Sequence, residues 1–173
     1  MNAYLIATTD KTSTADIHSF FAINKSTSLH FHLFFPSADF TSSERFDHSF
    51  MLNQIARSTR LGSTYEEQLR RFIEEKKVQS LVLCSEWFFS MTGENIKRLK
   101  EFLIRIGVTE SKVIIILKNY DQVLSSLVGN EIAGLGKEHR TLDEALKKVT
   151  GSHTSISTRV KTLCQQFHVN TIS

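Results

Sequence analysis

Proline and cysteine are scarce in this chain of 173 residues, which has one proline and two cysteines. Cys84 falls inside an apolar strand pattern and Cys164 on a predicted helix face, which excludes a disulfide framework and favours a reducing, cytoplasmic setting. Long apolar runs are also missing, since the longest, Ser80–Cys84 and Val113–Leu117, have the length of strands. We therefore expect neither an export signal nor a membrane-spanning segment.

The chain also lacks a strong excess of charge of either sign. Its formal net charge is +3, and 23% of its residues are charged. Because nucleic-acid binding normally needs a clustered basic surface, we expect no DNA or RNA partner. Apolar residues make up 40% of the chain, enough for one substantial core, so residues 1–173 are predicted to form a single domain. No pattern indicates an oligomeric state.

Short β-type runs alternate with helical patterns, which is typical of parallel strands joined by helical crossovers. The predicted fold class is α/β, a three-layer α/β/α arrangement with a mostly parallel central sheet. The predicted strands are Ala3–Thr8, Leu29–Phe35, Ser80–Cys84 and Lys112–Leu117, the last expected to be central because it is the most β-branched. The predicted helices are Ala15–Lys25, one starting near Asp47, one starting at Thr64, one capped by Thr92, and Asp121–Ile132, Thr141–Val149 and Thr154–Phe167.

Polar residues follow three of the predicted strands at the edge where ligands bind in open parallel sheets. The first strand leads into a turn rich in serine and threonine that contains Lys11, the third ends in Ser85-Glu86, and the fourth ends at Lys118. Backbone N–H groups at a helix amino terminus attract anions, and Lys11 could supply the counter-charge. Such a turn can equally be a simple helix cap, so the pattern leaves a phosphate site and a cap both open.

Several short motifs, in the same order along the chain, together resemble PAPS-dependent sulfotransferases. The loop Asp10-Lys11-Thr12-Ser13-Thr14-Ala15 is similar to that family's Pro-Lys-Thr-Gly-Thr-Thr signature between a strand and a helix. The other matching segments are Leu29 to Pro36, Phe46 to Phe50, Leu83 to Glu86, and Ile114 to Leu127, and the match extends roughly from Ala3 to Leu146. The resemblance implies a fold of the P-loop nucleotide hydrolase type.

The same resemblance implies a donor site for PAPS, 3′-phosphoadenosine-5′-phosphosulfate. Lys11, Thr12 and Thr14 would surround the 5′-phosphosulfate, with Ser13 standing at the position of the family's glycine. Lys118 and Ser126 would bind the 3′-phosphate. The implied reaction transfers a sulfuryl group to a hydroxyl of a carbohydrate or another small molecule.

Transfer of a sulfuryl group, like phosphoryl transfer, needs in-line positioning, charge stabilisation and a base for the acceptor hydroxyl. Lys11 is the predicted stabilising cation. The predicted base is Glu86, at a strand end, or His48, on the helix that follows the polar loop Ser37–Glu44. The alternatives are structural: Glu86 could begin a helix, and His48 could be a first-turn surface residue beside Asp47.

Three departures from the family pattern keep a non-catalytic relative open as the alternative. Asp10 replaces the proline and puts a carboxylate beside the anion site, and Ser13 replaces a glycine that could need close approach or a positive φ. Lys118 replaces an arginine and loses the two-pronged match to phosphate. Under this alternative the protein is a binding or interaction module. A nucleotide kinase is disfavoured, since the loop lacks the Gly-Lys-Ser/Thr order.

Two further patterns invite a functional interpretation. His30 and His32 alternate along the predicted second strand and could join His48 around a metal, but no further ligands stand at suitable spacing, so no metal is predicted. Trp87-Phe88-Phe89 could stack on an aromatic ligand, although such runs more often close the core beneath the end of a sheet.

Overall fold

One parallel sheet organises the chain in the computed structural model, which describes residues 1–9, 11–36, 48–56, 63–117, 158 and 160–171. Its strands in the described residues are β1 (Asn2–Thr8), β2 (Leu33–Phe34), β3 (Ser80–Ser85), β4 (Glu110–Ile116) and β5 (His168–Thr171). Their order is β2-β3-β1-β4-β5, and every adjacent pair is parallel. The predicted α/β class with a parallel sheet is therefore confirmed.

Helices connect these strands. In chain order they are α1 (Lys11–Ile23), α2 (Lys25–His30), α3 (His48–Ala56), α4 (Ser63–Glu75), a 3-10 helix (Glu86–Ser90) and α5 (Gly93–Arg105). Residues 160–166 are also helical and lead into β5. None of the helices in the described part of the chain has the length and apolar character needed to cross a membrane.

The two faces of the sheet bury different helices. On one face, Ile17 and Phe21 of α1 pack near Val82 and Cys84 of β3. On the other, Leu5 of β1 belongs to the main core, and the side chains that α3, α4 and α5 contribute to this core are Met51, Leu52, Ile55, Leu69, Ile73, Ile96, Leu99, Phe102 and Leu103. Strands covered on both faces carry few polar side chains, which explains the apolar run of β3.

Helix α5 forms as its sequence predicts. The Thr92 hydroxyl accepts a hydrogen bond from the Asn95 N–H at 3.3 Å, which satisfies one of the free donors of the first turn. The predicted stripe is buried, with Ile96, Leu99 and Leu103 each at most 1% exposed. Their spacing of three or four residues places them on the one face that meets the sheet.

The prediction of a strand over Leu29–Phe35 is wrong in its first half. Residues Lys25–His30 form α2, and only Leu33–Phe34 pair with β3. Between them His32 turns the chain with φ of 56°, and its carbonyl oxygen accepts hydrogen bonds from the backbone N–H groups of Gln79 and Ser80. The alternation of apolar and polar residues here imitates a strand, yet the segment continues the helical path after a break at Asn24.

The order of the strands differs from expectation in two places. The middle strand is β1, while β4, predicted to be central, lies between β1 and β5. Strand β5 was not predicted, because His168–Thr171 is short and polar at three of its four positions. Leu163 and Phe167, just before it, are buried in the main core, so the last helix packs against the sheet.

Two predicted helices, Asp121–Ile132 and Thr141–Val149, lie outside the described residues. The helix predicted near Asp47 begins at His48, and the helix predicted at Thr64 begins at Ser63. The single-domain prediction stays a prediction.

Candidate functional site

Helix α1 begins earlier than its sequence predicts. It starts at Lys11 instead of Ala15, so Thr12, Ser13 and Thr14 belong to its first turn and do not cap it from outside. Serine and threonine are accepted in a first turn, where their hydroxyls compete least with helical hydrogen bonds. The predicted phosphate loop is therefore the amino-terminal turn of a helix of 13 residues, with no acidic residue in that turn.

Thr14 points from this turn towards the ends of β1 and β3. It is 6% exposed, and its Oγ1 lies 2.5 Å from Oγ1 of Thr8, the last residue of β1. The Thr14 hydroxyl also donates to Oε2 of Glu86 at 3.2 Å. Since Thr14 has one hydroxyl hydrogen, the order of donation runs from Thr8 to Thr14 to Glu86. We call these three residues the hydroxyl–carboxylate cluster.

Glu86 follows β3 directly and begins the 3-10 helix. Its neighbour Ser85 is fully buried, and the Ser85 hydroxyl accepts a hydrogen bond from the Trp87 N–H at 3.0 Å, which fixes the turn. Glu86 itself is half-buried. Its carboxylate therefore touches the buried hydroxyls on one side and keeps access to the exterior on the other.

His48, the other predicted base, is engaged through both ring nitrogens. Its Nδ1 accepts a hydrogen bond from the backbone N–H of Cys84 at 2.8 Å, and its Nε2 donates to the carbonyl oxygen of Pro36 at 2.7 Å. The residue is 5% exposed, not at the surface as the structural alternative supposed. With Nδ1 accepting and Nε2 donating to main-chain groups, the ring presents no lone pair to a substrate hydroxyl.

A second histidine, His18 of α1, binds the main chain of the same residue of β3, Cys84. Its Nε2 lies 3.1 Å from the carbonyl oxygen of Cys84, which can only accept, so Nε2 carries the hydrogen. His18 is 7% exposed, its ring lies 4.8 Å from the ring of His48, and its Nδ1 is buried with no hydrogen-bond partner among the described residues. We call His18, His48 and the main chain of Cys84 the histidine clamp.

The histidine clamp stands where a longer β2 would pair with β3. The register of Leu33 with Ser80 and Phe34 with Leu81 ends there, and Pro36 has no N–H to continue it. The N–H and C=O of Cys84 would be left without partners in a fully buried position, at a cost of about 1–3 kcal/mol each. One histidine from α1 and one from α3 satisfy them instead.

Two members of these clusters, Thr8 and His18, were not among the predicted site residues. Thr8 could be inferred from its place at the end of β1, next to the predicted turn. His18 follows Thr14 by four residues on the same helix, so both lie on the face that meets β3. The spacing of four residues between Thr14 and His18 could have predicted that both side chains face β3.

The structure brings together two of the predicted site residues, Thr14 and Glu86. Thr12 is exposed in the first turn of α1 and Ser13 is half-buried, while the Lys11 backbone starts the helix and its side chain lies outside the described residues. Lys118 and Ser126 also lie outside them.

His30 and His32, which were considered as metal ligands, do not lie together on a strand. His30 ends α2 and His32 occupies a turn, so they do not alternate along a strand. Within the described ranges no group of three His, Cys, Asp or Glu side chains could hold a metal ion. Phe88 and Phe89 are 2% and 6% exposed in the main core, which confirms the core interpretation of this aromatic run.

No protein family, no curated protein and no solved structure matches this chain.

Proposed function

We propose that this protein is sulfotransferase-like, with a P-loop type of fold, and transfers a sulfuryl group from PAPS to a hydroxyl of a carbohydrate or small molecule. The observation that carries the proposal is the hydrogen bond between Thr14 and Glu86, at 3.2 Å. These residues belong to separate motifs of the sulfotransferase resemblance and are 72 positions apart, yet they meet at the carboxyl ends of adjacent parallel strands. Such ends are where parallel sheets bind ligands.

The first turn of α1 suits the anionic end of PAPS. It is the amino terminus of a helix of 13 residues, where backbone N–H groups favour an anion, and the turn contains no acidic residue. Thr12, which is exposed, is a hydroxyl that a phosphosulfate could reach. Lys11, the first residue of the helix, would supply the positive charge, and Lys118 and Ser126 would bind the 3′-phosphate.

Glu86 is the proposed base. In the transfer, the acceptor oxygen forms a bond to sulfur while the bond from sulfur to the phosphate oxygen of PAPS breaks, and adenosine 3′,5′-bisphosphate leaves. Glu86 takes the proton of the acceptor hydroxyl. We assign this role to Glu86 and not to His48, because both nitrogens of His48 bind main-chain groups.

The same cluster favours a second candidate, a non-catalytic relative that binds without transferring. The hydroxyl hydrogen of Thr14 is directed to the Glu86 carboxylate and so is not directed to an anion. A carboxylate beside the first turn of α1 also opposes the negative charge of a phosphosulfate. Under this candidate the fold serves as a binding or interaction module.

Calorimetric titration with adenosine 3′,5′-bisphosphate tests the first candidate. We expect binding that weakens roughly tenfold or more in Lys11→Ala, since a lost charged hydrogen bond is worth about 1.5–3 kcal/mol. Lys97→Ala, which removes an exposed lysine of α5, is the matched control and should bind like the wild type. Absence of binding at millimolar nucleotide would remove the sulfotransferase proposal.

Incubation with PAPS and a panel of hydroxyl acceptors then separates the two candidates. Sulfated product that is lost in Glu86→Gln would support transfer with Glu86 as the base. Nucleotide binding without product from any acceptor would support the binding module.

A further inference from the structure

We propose that His48 is a pH-sensitive link between α3 and β3. It holds α3 to the edge of β3 while its ring is neutral, and it releases α3 when the ring is protonated. The proposal depends on the histidine clamp alone and stands whether or not the protein binds PAPS.

The hydrogen-bond geometry fixes the charge state of His48. Its Nδ1 accepts the N–H of Cys84 at 2.8 Å, so that nitrogen must carry a lone pair and the ring must be neutral. Its Nε2 carries the hydrogen, because it lies 2.7 Å from the carbonyl oxygen of Pro36, which only accepts. A proton added to Nδ1 would place an N–H donor opposite the N–H of Cys84 at 2.8 Å, where neither group can accept.

Both hydrogen bonds of His48 are buried, since His48 is 5% exposed and Cys84 is fully buried. A protonated ring would therefore carry a buried charge and would leave the N–H of Cys84 without its acceptor. Both effects are relieved if the start of α3 moves away from β3. The hydrogen bond from His48 Nε2 to the carbonyl oxygen of Pro36 connects α3 to the segment that follows β2 as well.

Within the described residues, three titratable groups on α1, β3 and the 3-10 helix belong to the histidine clamp or lie beside it: His18, Cys84 and Glu86. The ring of His18, on α1, lies 4.8 Å from the ring of His48, so protonation of both would place two positive charges in contact. The Cys84 thiol, on β3, is buried on the face that meets α1. The Glu86 carboxylate, in the 3-10 helix, accepts from Thr14.

Helix α5 also packs on α3, through the main core. Among the charged residues of α5, Glu94 pairs with Arg98 at 3.2 Å and Arg105 pairs with Glu66 of α4 at 3.0 Å. Phe35, which contacts the His48 ring at a centroid distance of 4.4 Å, carries no charge. The hydrogen bond from the Cys84 N–H is what sets the neutral state of His48.

The sign of the pH dependence follows from linkage. In the unfolded chain a histidine takes up a proton near pH 6.5, roughly, whereas folded His48 stays neutral as long as its bond to Cys84 holds. Below that pH the unfolded state binds one proton more than the folded state. The equilibrium constant for unfolding should then rise by up to about tenfold for each further unit of acidification, for this residue alone.

Urea unfolding at about pH 7.5 and about pH 5.5 tests this for the wild type, His48→Gln and His30→Gln. Glutamine keeps an acceptor and a donor but does not titrate in this range. We expect the unfolding constant of the wild type and of His30→Gln, whose residue is exposed, to rise about tenfold more than that of His48→Gln on acidification. Equal pH dependence in all three proteins would overturn the proposal.

Should His48→Gln not fold, nitrogen NMR of the histidine rings in the wild-type protein gives an independent test. The proposal requires an unprotonated Nδ1 and a protonated Nε2 at His48, and a ring that stays neutral about one pH unit below 6.5, the ordinary pKa of a histidine in an unfolded chain. Protonation of His48 at that pH, with the protein still folded and α3 in place, would contradict it.

Discussion

The hydroxyl–carboxylate cluster and the histidine clamp are neighbours, yet they differ in what their polar groups do. Thr14 and His18 are one turn apart on α1, and Cys84 and Glu86 are two residues apart at the end of β3. In the clamp, buried side chains bind the main chain and replace a missing strand partner. In the cluster, side chains bind each other and end in a half-buried carboxylate.

The hydrogen-bond partners of a polar residue at this edge of the sheet distinguish a structural role from a candidate functional role. A polar side chain that satisfies a buried peptide group is needed for folding wherever the ligand binds. A chain of side-chain hydrogen bonds that ends in a half-buried carboxylate places that carboxylate where a ligand can reach it. Substitutions in the clamp should therefore affect stability, and those in the cluster should affect binding.

The largest effect is expected for His48→Ala. Removing the ring leaves the N–H of Cys84 and the carbonyl oxygen of Pro36 buried without partners, and we expect a loss of about 2–4 kcal/mol in the free energy of unfolding. Urea denaturation at neutral pH measures it. The control is His30→Ala, at an exposed position, which should change stability by less than about 0.5 kcal/mol. If His48→Ala lowers the free energy of unfolding no more than this control does, the histidine clamp is not the structural cluster of the two.

An intermediate effect is expected for Thr8→Val, which keeps the shape of the side chain and removes its hydroxyl. Thr14 then loses a donor but still donates to Glu86, so the free energy of unfolding should fall by about 1 kcal/mol. The comparison predicts that this loss is smaller than that of His48→Ala in the same denaturation experiment. The reverse order would mean that the hydroxyl–carboxylate cluster is the main structural element of this edge.

The smallest effect on stability is expected for Glu86→Gln. The amide oxygen can still accept the Thr14 hydroxyl, so the free energy of unfolding should change by no more than about 0.5 kcal/mol. Removal of the negative charge should instead strengthen binding of adenosine 3′,5′-bisphosphate, by roughly threefold to tenfold, while transfer activity is lost. Unchanged nucleotide affinity would show that the carboxylate is not beside the anion.

The sequence predicted much of this fold because its patterns were local. The β-branched and apolar runs gave β1, β3 and β4, and the stripe of α5 with its Thr92 cap gave a helix with nearly correct bounds. The errors arose where tertiary contacts decided the outcome. Leu29–Phe35 alternates like a strand, but an early turn at His32 and the histidine clamp leave room for only a short β2.

The candidate site was predictable only in part, for a similar reason. Placing Thr14 and Glu86 at strand ends followed from the rule for parallel sheets, and the structure brings the two together. The role of His48 depended on which atoms its ring nitrogens meet, and those atoms belong to Pro36 and Cys84, far from it in sequence. No spacing pattern around His48 carries that information.

Backbone NMR during titration with adenosine 3′,5′-bisphosphate tests whether the first turn of α1 receives an anionic nucleotide. We expect the amide signals of Thr12, Ser13, Thr14 and Glu86 to shift with one common affinity, while that of Lys97 on α5 stays in place. Signals that do not move at Thr12, Ser13 and Thr14, or that move only elsewhere in the molecule, would contradict it.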